Sequence, residues 1–175
     1  SSNGQFEQIK IDATEIESVT NYQDGIVATV SSWKAESSVM FINSEEVRPL
    51  SKTRNLDIGE SWFPVPETFT YQTSGSEKAH ALFYSPTNPE YEIHKNENPP
   101  LIVLAHGGPT GSARRQLQLS IAYWTSRGFG VADVDYRGST GYGRLYRNRL
   151  RNSWGLADVE DCVAAVSYTH LRAHE

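Results

Sequence analysis

The run Pro99-Pro100-Leu101-Ile102-Val103-Leu104-Ala105-His106-Gly107-Gly108-Pro109 constrains this chain more than any other stretch of it. An apolar segment of five residues is too short for a stable helix and stops abruptly at two glycines. It reads as a buried parallel strand, central in its sheet, whose exit turn brings main chain close to a ligand. A turn of this kind aims backbone N–H groups at negative charge developing on a reacting atom. A central parallel strand also requires helices on both faces of its sheet, and the flanking sequence has to supply them.

Downstream, the pattern does so. Leu117, Ile121 and Trp124 fall at i, i+4 and i+7, one face of a helix that ends with Arg127 in its last turn and Gly128 just beyond. Phe129–Val134 follows as a second strand, then the loop Asp135-Tyr136-Arg137-Gly138-Ser139-Thr140-Gly141-Tyr142-Gly143. A further helix carries Leu156, Val159, Val163 and Val166 on one stripe, with Asp158 in the first turn, where the helix dipole favours an anion. Strand, helix, strand, loop and helix is the opening of a doubly wound α/β sheet.

Upstream, the periodicity changes to β. Ile16–Thr20, Gly25–Ser31, Ser38–Asn43 and Val47–Leu50 are short β-prone runs between turn signals, an antiparallel meander about the size of one propeller blade. Residues 51–66 form an irregular connection ending in Phe63-Pro64-Val65-Pro66, and Thr68–Thr73 with Ala79–Ser85 reads as a hairpin around Ser74-Gly75-Ser76. The expected division is residues 1–58 as the meander and 59–175 as the α/β unit. Charge shifts near residue 100 as well. Residues 1–100 hold 7 basic and 15 acidic side chains, whereas residues 101–175 hold 9 arginines and 6 acids.

Several function classes fall away. A single cysteine, Cys162, excludes an internal disulfide framework and a four-cysteine zinc site, and on its apolar-flanked helix it reads as a buried small hydrophobe. No apolar run reaches the roughly 18 residues of a membrane span. Arg144, Arg147, Arg149 and Arg151 have no interleaved aromatics or phosphate loop, so they read as a solvated segment and no nucleic-acid partner is expected. Neither His106-Gly107-Gly108-Pro109-Thr110-Gly111 nor Gly138-Ser139-Thr140-Gly141-Tyr142-Gly143 has dinucleotide or Walker spacing, which makes a nucleotide-binding half-domain the weakest alternative. His170 and His174 stand at i, i+4 with no third ligand, so no metal or other cofactor is expected.

Three blocks, His106-Gly107-Gly108-Pro109, Asp135–Gly143 and Trp154-Gly155-x-x-Asp158-Val159-x-Asp161, resemble in order and spacing the prolyl oligopeptidase family of serine peptidases, in its acylaminoacyl-peptidase and dipeptidyl-peptidase-like branch. The resemblance covers roughly residues 60–166. It implies the N-terminal part of an α/β-hydrolase sheet, preceded by a meander resembling the last blade of a β-propeller. It also implies an enzyme that hydrolyses short peptides through an acyl-enzyme, with a Ser-Asp-His triad in that chain order. The single cysteine favours a reducing compartment, so a cytoplasmic location is expected.

Gly108 is then the candidate oxyanion donor, through its backbone N–H. His106, Gly107, Pro109 and Arg137 support the motif, His106 as an orienting group bonded to nearby backbone and Arg137 as a loop organiser. Asp158 and Asp161 read as capping and packing groups. No serine in the chain stands in Gly-x-Ser-x-Gly: Ser139 has Arg137 at −2 and Ser153 has Arg151 at −2. The resemblance places nucleophile, acid and histidine beyond Glu175. The expectation is therefore a truncated frame, inactive alone, with a peptide substrate only in the full-length enzyme and with residues 167–175 a non-native tail. The alternative is a non-catalytic binding module built on the meander.

Overall fold

The computed structural model describes residues 8–51, 54, 56–92, 98–108 and 110–172, with the side chains of 170–172 excepted. Pro109 and His174 lie outside the described residues. The chain divides into two compact units, Ser1–Ile58 with Arg115–Leu117, and Gly59–Arg114 with Gln118–Glu175.

The first unit is an antiparallel sheet in the order β1 (Glu15–Tyr22), β2 (Gly25–Ser32), β3 (Ala35–Ile42) and β4 (Val47–Pro49). β1 and β3 run further than their apolar residues suggest. Thr20, Asn21 and Tyr22 pair with Val27, Ile26 and Gly25, and Ala35 pairs with Ser32, so the connecting turns shrink to two residues. The β3–β4 turn is set by Asn43, whose side-chain oxygen accepts the N–H groups of Glu45 and Glu46 at 2.9 and 2.7 Å. Ala28, Val30 and Ile42 form the small core.

The second unit holds a sheet in the order β5-β6-β8-β7, from β5 (Glu67–Gln72), β6 (Lys78–Tyr84), β7 (Leu101–Ala105) and β8 (Gly130–Asp135). β7 and β8 are parallel, and the other pairings are antiparallel. Period-2 alternation divides the side chains between two helices. Ala79, Ala81 and Val134 face the core shared with α3 (Ala157–Arg172), whereas Leu82, Tyr84 and Val131 pack with Ile121 of α1 (Leu119–Thr125). The short α2 (Gly143–Asn148) lies between these helices in the chain.

Three sequence expectations are corrected here. β8, paired on both sides and buried along its whole length, is an inner strand, whereas β7 lies at an edge of the sheet among the described residues. Leu117 precedes α1 and bonds to Ser32 through its N–H, while Trp124 is 40% exposed, leaving Ile121 as the buried residue of that triplet. On α3 the apolar stripe faces outward: Leu156, Val159 and Val163 are more than half exposed. The buried face is instead Ala157, Asp161 and Ala165 at i, i+4 and i+8, with Cys162 half-buried beside it. Small residues let the helix close onto the sheet, and the wider valines do not fit between them. Through Tyr168, α3 stacks on Phe69 of β5 at 5.2 Å, so the helix runs well into the stretch 167–175.

Candidate oxyanion site

β7 ends at Ala105, and His106, Gly107 and Gly108 turn away from the sheet, both glycines exposed. Gly108 sits at φ +74°, in the left-handed region where a side chain is strained. Its N–H has no acceptor among the described residues. An ideal Cβ on Gly111 would lie 2.7 Å from His106 Nδ1 and 3.2 Å from the Gly107 carbonyl oxygen, so the returning leg of the turn requires glycine there.

The loop after β8 buttresses this turn. His106 Nε2 lies 2.7 Å from Ser139 Oγ, and its ring stacks on Tyr136 with centroids 4.3 Å apart. The Tyr136 hydroxyl reaches Gly108 O at 2.8 Å, His106 O at 3.0 Å and His106 Nδ1 at 3.1 Å. Further along, Thr140 N–H donates to Gly111 O at 2.8 Å, and Ala113 N–H donates to Asp135 Oδ1 at 2.6 Å. Tyr142 donates its hydroxyl to Asp135 Oδ2 at 2.8 Å and stacks on His80 at 4.0 Å. Burial raises the Asp135 pKa, while the Ala113 and Tyr142 bonds hold it down.

Arg137 sits behind the loop, not in the turn. Its side chain is 11% exposed and that of Asp161 is 0% exposed; the two meet at 2.8 Å. Asp161 also accepts the Arg137 backbone N–H at 2.7 Å and the Thr73 hydroxyl at 2.6 Å. The guanidinium continues to Glu160 at 3.0 Å and Ser74 at 2.9 Å. Asp158, three residues earlier, accepts Gly155 N–H at 2.7 Å near the start of α3. The two acids thus serve different partners and share no proton.

Sequence reasoning placed His106, Gly107 and Gly108 together at the strand end, where the structure also puts them. The partners of the His106 ring differ from the expectation: they are the hydroxyls of Ser139 and Tyr136 and not backbone, because β8 brings the following loop under the turn. Asp135, Tyr136 and Ser139 enter the sequence reading only as part of the Asp135–Gly143 block, with no individual role, and Gly111 has none. The alternation along β8 was the available signal, since it puts Asp133 and Asp135 on one face and Val134 and Tyr136 on the other. Among the described residues no cluster of His, Cys, Asp and Glu is arranged to hold a metal.

Ser139 and His106 form a close hydroxyl–imidazole pair, and its chemistry is decided by proton direction. Ser139 Oγ donates to its local acceptor, Tyr136 O, at 2.8 Å. With its single proton used there, Oγ accepts from His106, which must carry hydrogen on Nε2. A base that activates a serine needs the opposite arrangement. Ser139 is also completely buried.

The chain superposes over 99% of its length on puromycin hydrolase, with a TM-score of 0.91 and 34% identity, and covers 27% of that chain. Residues 115–172 match the prolyl oligopeptidase family. Over that stretch the chain is similar to that family. A puromycin-hydrolyzing peptidase of Mycobacterium tuberculosis is 34% identical with a TM-score of 0.85, over 91% of this chain and 25% of that one. The acylamino-acid-releasing enzyme of Rattus norvegicus is 30% identical over 144 residues, 79% of this chain and 18% of that protein. The chain thus spans between 18% and 27% of the length of these three relatives. The homologues are serine peptidases, and the fold of this chain is the start of an α/β-hydrolase sheet preceded by a blade-like meander.

Proposed function

We propose that this chain supplies the oxyanion half of a serine-peptidase site that cleaves short peptides through an acyl-enzyme. Gly108 N–H is one oxyanion donor, and the nucleophile, acid and base come from sequence outside these 175 residues. The observation that carries the reading is the Gly108 amide itself. It sits at the end of a parallel strand, has no acceptor among the described residues, and belongs to a turn that the 135–142 loop braces at several points. When a nucleophile adds to a peptide carbonyl, the oxygen becomes an anion, and a fixed N–H stabilises it without reorganising. One such donor contributes about 10²–10³ in turnover. The names of the relatives, an acylamino-acid-releasing enzyme among them, support a peptide substrate.

A self-contained dyad of Ser139 and His106 is disfavoured by the burial of Ser139 and by the direction of its proton. The test is to extend the chain along its own reading frame from the source DNA and to assay release of p-nitroaniline from acetyl-amino-acid p-nitroanilides. The expected result is turnover by the extended protein and none above buffer by the 175-residue chain. Turnover by the 175-residue chain, or an extension lacking a Gly-x-Ser-x-Gly strand, contradicts the proposal.

A further inference from the structure

We infer that Tyr136 is the positioning residue for the Gly108 amide, its hydroxyl clamping the two carbonyls that flank the peptide carrying that N–H. The inference rests on the oxyanion reading above. Three successive peptides make the turn. The first joins His106 O to Gly107 N–H, the second joins Gly107 O to Gly108 N–H, and the third begins with Gly108 O. The Tyr136 hydroxyl lies 3.0 Å from the first of these oxygens and 2.8 Å from the last. The middle peptide is thereby fixed from both sides. Its carbonyl, Gly107 O, faces Gly111, and in a trans peptide the N–H points the opposite way, so the Gly108 N–H is turned outward.

The Tyr136 hydroxyl has one proton, which the two carbonyls share. Ser139 Oγ gives its proton to Tyr136 O, which leaves His106 Nε2 as the donor of the pair with Ser139. The two carbonyl acceptors, Gly108 O and His106 O, lie 2.8 and 3.0 Å from the hydroxyl. Gly108 O is the nearer. Among the described residues no backbone N–H donates to it, and the residue after it, Pro109, has no N–H. The phenol is held in turn by the stack on His106 and by burial of the Tyr136 side chain, which is 4% exposed.

Tyr136→Phe removes one oxygen, keeps the stacked ring, and leaves both carbonyls without this donor. In the ¹⁵N-labelled 175-residue chain, Gly107 and Gly108 amides are expected to fall from order parameters near 0.85 to below about 0.6. The Ala113 and Thr140 amides, held by Asp135 and Gly111, are expected to stay rigid, which separates loss of the clamp from general loosening. Gly107 and Gly108 amides as ordered in Tyr136→Phe as in the parent overturn the inference. Should Tyr136→Phe fail to fold, 3-fluorotyrosine placed at position 136 decides it. Its more acidic phenol donates more strongly, so the Gly108 carbonyl ¹³C resonance moves downfield; no shift there overturns the inference. Neither measurement depends on turnover, so the clamp and the peptidase reading fail separately.

Discussion

Two carboxylates on an inner strand show how single residues set the electrostatics beneath the turn. Asp133 and Asp135 stand two apart on β8, on the face packed against α1, and are 7% and 3% exposed. Burial, with the Asp135 charge adding to it and a Gln118 hydrogen bond opposing it, pushes the Asp133 pKa up to about 6. A folded-state pKa above the ordinary value of 3.8 means that the fold favours the protonated acid. This group's contribution to stability is therefore complete below about pH 4 and is lost as pH rises through about 6. Asp133→Asn, which keeps an oxygen for Gln118, is expected to stabilise the chain at pH 7.5 by on the order of 2–3 kcal/mol, with the gain shrinking toward pH 4. Urea unfolding midpoints across that range check the sign, and a pH-independent difference contradicts it.

At the scale of elements, the join between α3, the β8 loop and the β5–β6 hairpin depends on the buried Arg137–Asp161 pair. Asp161 is fully enclosed and receives the guanidinium, a backbone N–H and the Thr73 hydroxyl, so its acceptor sites are filled. Removing one partner leaves an uncompensated buried charge. Arg137→Ala is expected to cost about 3–5 kcal/mol, whereas the double replacement Arg137→Met with Asp161→Leu is expected to cost far less. Equal losses in denaturant unfolding would show that packing, and not the stranded charge, holds the helix. The same pair explains what the sequence hid. Apolar periodicity located α3 but selected the wrong face, because the buried stripe is two alanines and an aspartate, while the valines that carry the 3.6-residue signal look outward. A buried Asp is invisible to a hydrophobic pattern until its partner, 24 residues earlier, is known. The hairpin around Gly75 and the strand pairs of the meander, by contrast, rest on local turn chemistry and were legible from the residues alone.

For the whole molecule, the two units present different amounts of information. The strand-to-glycine turn at Leu101–Gly108 was legible because an abrupt apolar stop at two glycines has few structural solutions. Its buttress was not, since Tyr136, Ser139 and Asp135 reach it only through the β7–β8 register. We propose that the chain carries an oxyanion donor and no serine nucleophile. The most direct test of that claim is to treat the 175-residue chain with a fluorophosphonate probe and locate any adduct by peptide mass spectrometry. The expected result is no adduct at any serine, Ser139 and Ser153 included; a stoichiometric adduct at either one would contradict the claim.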